Sequence, residues 1–389
     1  MIRLAPYRWL DVRQINLWGI DRHIKIRSTS FLLMLLAIIG CSNHPANVAP
    51  ISHNPKVLIF TAIDGEYLAD TVAHWGNDVG VNGVILSYIA DWWSTKDELT
   101  KNQALLKKIN ENGRPYGVYS NFIKVALGYR ELPLWTDDQS WKTVTDNFRN
   151  IADLIKQSGT RGIAIDTERY NVSSLYNSHD KRFDAIKPDV LRKKIYERGR
   201  QIMLAITEAY PDIEVLVLQE GQFHLDVNND KEYEMWMDFY NGMASVKNNQ
   251  GITLGLESTF STFNPLNLKG RYNNVQTAMG RAVSKHSFWR DKCSLAIGMW
   301  PLGKEYNNKT ARYSPADFQR QFSQAVALSP KYVWIYDHGW AWLQLSKTEA
   351  EKYTKGGRWI LAEEYQSLPT DPNIDKYYSV LRNYKQGNQ

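Results

Sequence analysis

The stretch Arg161–Tyr170, RGIAIDTERY, is a short apolar run that ends in two carboxylates. Alternate residues of a strand point to the same face, so Ala164, Asp166 and Glu168 share one side and Ile163, Ile165 and Thr167 the other. An apolar run buried on both faces is the mark of a strand in a parallel sheet. Seven more runs of this kind follow one another along the chain: KVLIFTAID, NGVILSYIADWW, RPYGVYSNF, IEVLVLQEG, GITLGLEST, CSLAIGMW and KYVWIYDHGW. Between them lie segments with helical spacing, the clearer ones at 97–112, 140–158, 188–210, 232–248, 272–289 and 315–328. Strand and helix in strict alternation predict a parallel sheet, and eight such units predict an α/β fold of the (β/α)8 TIM-barrel type. The open doubly wound sheet is the alternative. It would place a glycine-rich phosphate loop after the first strand, where TAIDGEYLAD has no GxGxxG.

The chain has 389 residues, and its apolar and charged fractions of 43% and 23% are those of a folded protein, which excludes wholesale disorder. The net charge of +6 invites a nucleic-acid reading, yet Arg3, Arg8, Arg13, Arg22, Lys25 and Arg27 precede Cys41 with only Asp11 and Asp21 to balance them. Without that segment 41 basic residues face 39 acidic ones, so the basicity belongs to the N-terminus and no nucleic-acid partner is called for.

That N-terminus places RHIKIR before SFLLMLLAIIG and then CSN, the order of a charged n-region, a short h-region and a small residue before a cut. The apolar run is about half of the ~20 residues that a membrane-spanning helix needs. Ile38-Ile39-Gly40-Cys41 resembles the bacterial lipobox, with Ile38 where leucine is commoner. The resemblance implies a lipid on Cys41, and Ser42 after it implies the outer membrane. Residues 1–40 are thus expected to be a signal peptide, 41–55 a Pro-, Asn- and Ser-rich tether, and 56–389 one barrel domain ending in a last helix with surface decoration. The stretch ahead of Arg22 is long for a signal peptide and suggests a start codon placed too early. With Cys41 lipidated, Cys293 has no partner and no disulfide framework is expected.

A barrel of this type builds its active site where the strands end at their C-termini. Those ends read Asp64 and Glu66; Asp91, Trp92 and Trp93; Asn121; Asp166, Glu168 and Tyr170; Gln219 and Glu220; Glu257; Trp300; and Asp337, His338, Trp340 and Trp342. Any one of these acids could be a helix cap or a loop ion pair. Acids and aromatics converging from several strands fit the hydrolysis of a glycosidic bond. One carboxyl protonates the leaving oxygen, a second attacks the sugar, activates water or steadies charge on the ring, and aromatic faces carry the sugar's C–H faces. The 14 tryptophans, 22 tyrosines and 12 phenylalanines exceed what a barrel core requires. Trp334, in mid-strand, is expected to fill space between barrel and helices. If Trp300 faces inward, so do Ala296 and Gly298, small residues that leave room for a pocket, and Ala164 lies beneath Asp166.

GIAIDTE resembles the fourth-strand signature of family 18 glycoside hydrolases, D-x-x-D-x-D-x-E. Asp166 and Glu168 match its last two acids, and Ala164 stands where the pattern has another aspartate. The resemblance covers about seven residues and the barrel pattern. It implies that Glu168 protonates the glycosidic oxygen and that Asp166 orients an N-acetyl group of the substrate. Other barrel glycosidases pair acids after strands four and six or four and five, which leaves Glu257 and Glu220 open as the second carboxylate, with Asp337 behind them. Proximity of Asp166 or partial burial would keep Glu168 protonated near neutral pH. Asp64, Trp92, Trp93, Tyr170, Trp300, Asp337, His338 and Trp340 are the candidate substrate-binding residues. No cofactor is called for; the partners are a polysaccharide or oligosaccharide and, through the lipid, a membrane.

Two other chemistries are weaker. A metal phosphodiesterase would draw on Asp64, Glu66, Asp166, Glu168 and His338, but the chain has no H-x-H or H-E-x-x-H to anchor the ion. A serine hydrolase would need a G-x-S-x-G elbow, which is missing. A catalytically silent glycan-binding barrel is the alternative to the enzyme, because the missing upstream aspartate is what a decayed site would show.

Overall fold

Each strand run becomes a strand, and the ends decide which side chains reach the barrel mouth. The computed structural model describes residues 54–61, 65–128, 130–169, 181–218, 231–260, 262, 264–282, 293–302, 313–337, 342 and 373–387. The chain divides into two units, Met1–Ile51 and Ser52–Gln389, and all described residues belong to the second. Its strands are β1 Lys56–Thr61, β2 Gly83–Leu86, β3 Phe122–Gly128, β4 Gly162–Arg169, β5 Glu214–Leu218, β6 Ile252–Leu256, β7 Ser294–Met299 and β8 Tyr332–Tyr336. All neighbours pair in parallel, and β1 pairs with β8, so the sheet closes into an eight-stranded barrel. The helices are α1 Gly65–His74, α2 Lys96–Gly113, α3 Asp138–Ser158, α4 Pro188–Ala209, α5 Lys231–Ala244, α6 Pro265–Ala282, α7 Pro315–Leu328 and α8 Ile374–Gly387, which makes this a (β/α)8 TIM barrel. No helix among the described residues is long and apolar enough to cross a membrane.

The two faces of the strands build two cores. Leu58, Phe60, Ile85, Phe122, Ala164, Leu216, Leu218, Ala296, Tyr332 and Trp334 fill the bore, while their alternates, such as Ile59, Ile163, Val217 and Ile335, pack under the helices. Ala164 and Ala296 therefore do face inward, as the alternation predicts. The room they and the glycines leave is already taken. A Cβ on Gly298 would lie 2.7 Å from the Trp334 ring, and one on Gly255 would lie 3.1 Å from its Nε1, so the indole occupies the space beside both glycines. Trp334 is thus a bore filler and not a wedge between barrel and helices.

The third strand is a correction. RPYGVYSNF, read as a strand from its aromatic and β-branched content, contains a 3-10 turn at Arg114–Tyr116, and β3 begins at its last residue. Asn121 consequently sits at the N-terminal rim, opposite the mouth. There its Oδ1 accepts the Val84 amide at 2.9 Å and its Nδ2 donates to Asn110 Oδ1 at 2.9 Å. The same rim holds a buried polar floor, in which Tyr332 donates to Glu214 Oε2 at 2.7 Å and Arg161 Nε to Glu214 Oε1 at 2.5 Å. Burial, and next the Glu214 carboxylate, push the Tyr332 phenol up.

α8 is more than decoration. Tyr377, Tyr378 and Leu381 are buried in the helix-side core, and Lys385 Nζ donates to the carbonyls of Gly76, Val81 and Tyr116 at 3.0, 3.0 and 2.8 Å. Burial lowers the pKa of that amine. Cys293 is a free thiol that burial pushes up to about 12, so it is held as the unreactive thiol at neutral pH.

Candidate functional site

β4 carries Asp166 on its inward face and Glu168 two residues on, past the point where the β3–β4 register shifts, and the two acids have different surroundings. Asp166 is 1% exposed, and the side chain of Lys124 on the neighbouring strand is equally inaccessible. Ala126 is the register partner of Asp166, so Lys124 starts one inward position lower and reaches up to it. Lys124 Nζ lies 2.9 Å from Asp166 Oδ2 and 5.0 Å from the centroid of the Phe60 ring. The other carboxylate oxygen, Oδ1, accepts the backbone amide of Glu168 at 2.9 Å. The Asp166 carboxylate beside Glu168 is thus paired with an ammonium at ion-pair distance. Glu168 itself is half-buried at the mouth. Thr167, on the opposite face, donates to the Leu218 carbonyl at 2.9 Å, and the β3–β4 register shifts between Ala126 and Gly128 beside it. Irregularities of that kind re-aim side chains at barrel rims.

Two strands along the barrel, Glu257 follows β6 in phase with the inward Gly255 and is half-buried. Its carbonyl accepts the Phe260 amide at 2.9 Å, and Thr259 Oγ1 donates to the carbonyls of Leu256 and Gly298 at 2.8 and 2.7 Å, which ties this turn to β7. The turn delivers Phe260 into an aromatic wall. Its ring stacks on Tyr336 at 5.7 Å and 11°, and Trp300 meets the two edge-on at 6.0 and 5.2 Å. Trp334 and Phe60 continue the wall downward. Trp300 was legible as a mouth residue; Phe260 and Tyr336 were not singled out. Tyr336 follows from Trp334 by alternation, whereas Phe260 depends on a turn that carries no sequence mark.

Other candidates fall elsewhere. Asp337 is 3% exposed and continues the outward alternation of Val333 and Ile335. It accepts the Thr61 hydroxyl at 3.0 Å and the Trp342 amide at 3.1 Å, so it locks the β1–β8 seam and is not a mouth residue, a correction to its place among the substrate-binding candidates and the second carboxylates. Trp92 packs against the helix-side core and meets Trp93 edge-on at 5.2 Å, while the Arg130 guanidinium lies 4.5 Å over the Trp93 ring. Neither indole is a bare platform. Glu66 lies in the first turn of α1, exposed and 3.6 Å from Lys108. Among the described residues no three His, Cys, Asp or Glu side chains form a metal-holding group. Asp64, Tyr170, Glu220, His338, Trp340 and Cys41 lie outside the described residues.

Two further features escape sequence reading. Tyr88, just past β2, has φ +62°, a left-handed conformation that a bulky side chain holds at a cost of about 1–3 kcal/mol. A cavity of about 230 Å³ lies on the helix side, between α6 and the start of β7, lined by Tyr272, Met279, Cys293 and Leu295 among others. It is remote from the strand C-termini.

No family model and no curated protein matches this chain. Solved structures with a similar fold include a glucosidase from Croceicoccus marinus, at 14% identity over 87% of this chain and 67% of that one, with a TM-score of 0.48. A D-psicose 3-epimerase from Clostridium cellulolyticum H10 aligns at 10% identity over 85% and 98% of the two chains, with a TM-score of 0.45. A GH18 chitinase from Pseudoalteromonas aurantia aligns at 9% identity over 72% and 93%, with a TM-score of 0.42. The likeness is one of barrel architecture and spans hydrolase and epimerase alike, so the chemistry has to be argued from the site.

Proposed function

We propose that the chain is a glycoside hydrolase acting on a polysaccharide, with Glu168 as general acid and Glu257 as the second carboxylate. One observation carries the reading. Glu168 stands half-buried near the C-terminal end of β4, its amide tied to a buried ion pair, at the same end of the barrel as Glu257 and the wall of Phe260, Trp300 and Tyr336. A carboxyl so placed can hand its proton to the leaving oxygen, while the Glu257 carboxylate attacks the sugar or activates water. Glu220, two residues beyond Leu218 in the sequence, is the alternative for that second role. The aromatic wall offers sugars an apolar face with wet edges.

A second reading has its own observation. The Lys124 ammonium occupies one of the two matching acids, and Ala164 stands where the family pattern has a further aspartate, which together favour a catalytically silent glycan-binding barrel. Release of reducing ends from envelope polysaccharides by the purified protein separates the two, and chelation separates both from a metal enzyme. Carboxylate catalysis needs no bound ion, so release is expected to persist after exhaustive EDTA treatment. Glycan binding without release supports the silent module. Loss with EDTA that one divalent metal restores moves Glu168 and Asp64 into a ligand shell.

We place the protein at a bacterial cell envelope, held by a lipid on Cys41 and facing its substrate from the outer membrane. The support is the short apolar run that ends in Gly40-Cys41. Cys41→Ala is expected to abolish incorporation of labelled fatty acid and to move the protein from the membrane to the soluble fraction. A wild-type protein that takes up no label and fractionates as soluble overturns the address.

A further inference from the structure

Lys124 is a buried cation in the barrel bore that the carboxylate and aromatic scheme does not use. Taking an ammonium out of water is unfavourable unless it is paired, and a pair of apolar side chains of similar volume would serve a barrel core at least as well. Stability alone does not account for a lysine at this place. Its geometry does: it stands at one end of a chain of contacts whose other end is the backbone of the proposed acid.

We propose that Lys124 is a positioning residue for Glu168 and acts through Asp166; the proposal rests on the reading of Glu168 as the acid. Nζ holds Asp166 Oδ2 at 2.9 Å, which turns Oδ1 toward the Glu168 amide, also at 2.9 Å. Charge-assisted hydrogen bonds of this length are about twice as strong as neutral ones, so two of them in series fix the peptide from which the Glu168 side chain departs. That peptide needs fixing. The β3–β4 register shifts between Ala126 and Gly128, so the regular ladder does not set the strand's direction at this point. The Thr167 hydroxyl on the Leu218 carbonyl anchors the opposite face at 2.9 Å, and the Phe60 ring covers Nζ at 5.0 Å. The side chain of Asp166 is 2% exposed and has both oxygens on protein donors, so it serves Glu168 and not the sugar. The substrate then needs no N-acetyl group for Asp166 to orient.

The test uses the whole protein in two variants, Lys124→Met and the double variant Lys124→Met with Asp166→Asn. Four quantities are read: thermal midpoint, kcat and KM on a cleavable glycan, and hydrogen exchange at the Glu168 amide against Ile163 and Ile165 of the same strand. Lys124→Met is expected to lower kcat by about 10- to 100-fold with KM unchanged, the scale on which a misplaced catalytic group loses rate. Its Glu168 amide should exchange faster while those of Ile163 and Ile165 stay protected. The double variant contains neither buried charge and should recover much of the lost thermal midpoint, yet keep the low kcat and the fast Glu168 amide. If the single variant does not fold, the double variant decides by itself. A double variant with wild-type kcat and wild-type exchange at Glu168 overturns the proposal, as does a Glu168 amide that changes only in step with Ile163 and Ile165. A wild-type protein that cleaves no glycan while Lys124→Met frees the Glu168 amide overturns the enzyme reading and leaves the positioning link standing.

Discussion

Glu168→Gln is expected to lower turnover by about 10²–10⁴-fold, the usual contribution of a general acid, while oligosaccharide binding stays nearly unchanged. Glutamine keeps the length and the hydrogen-bonding reach of the side chain and removes the proton it would donate. Because the backbone at this position is held by Asp166 Oδ1 through the amide, the substitution leaves the anchor intact and isolates the loss of the proton. The effect should grow with the basicity of the leaving group. Natural glycosidic oxygens need protonation to depart, whereas activated aryl glycosides leave without it and should be cleaved at close to the wild-type rate. Steady-state kinetics on both substrate types, with calorimetric binding of an uncleaved oligosaccharide, check each part. Equal activity of wild type and variant on the natural bond places the acid elsewhere, and Glu257 is then the first residue to replace.

Asp166→Ala is expected to cost about 3–5 kcal/mol of stability, because the Lys124 ammonium stays in the bore without its carboxylate. Loss of the acceptor for the Glu168 amide adds to this, since a buried donor without a partner costs about 1–3 kcal/mol. Urea unfolding followed by far-UV dichroism reads the sum as a lower midpoint at unchanged slope. The activity that remains in the folded fraction distinguishes two roles for the residue. The family resemblance implies that loss of Asp166 falls hardest on N-acetylated sugars. A carboxylate that faces Lys124 and a backbone amide implies equal losses on acetylated and non-acetylated substrates. A stability change below about 1 kcal/mol would mean that the interior adapts to the loss of the carboxylate.

Much of the barrel was legible because most of its strands announce themselves. β4 appears almost as read, and α7 begins and ends at Pro315 and Leu328, where Ser314 accepts the Asp317 amide at 3.1 Å and Pro315 starts the first turn. β3 was misread for a physical reason. A strand buried on both faces shows no alternation, and a lysine in its middle looks like the end of an apolar run, so FIKVALG yielded to the aromatic RPYGVYSNF before it. That error displaced Asn121 to the wrong rim and hid Lys124. α6 starts at Pro265, earlier than read, because Pro, Asn and Gly in NPLNLKG mimic a loop. The candidate site was half legible. Spacing puts Asp166 and Glu168 on one face of a regular strand, but the register shifts just after Asp166, and both that shift and the Lys124 partner of Asp166 come from the pairing of two strands, which no single run contains. The seam role of Asp337 likewise depends on Thr61, 276 residues away in the chain.

The contacts of α8 bear on the order in which this barrel can be completed. Tyr384 donates to the Pro55 carbonyl and Arg382 to the Asp78 carbonyl at 2.8 Å each, beside the three carbonyls held by Lys385. The last helix thus grips the backbone just ahead of β1 and the turn just after α1. During synthesis β1 emerges first but meets β8 last, and its open edge waits until the remaining strands have been made. Docking of α8 then acts as a latch on the closed ring. Because Tyr384 of α8 reaches the Pro55 backbone, a linker joining the end of α8 to the residues ahead of β1, with new ends cut at an exposed turn elsewhere, would give a circular permutant that keeps the strand pairings and changes only which edge waits.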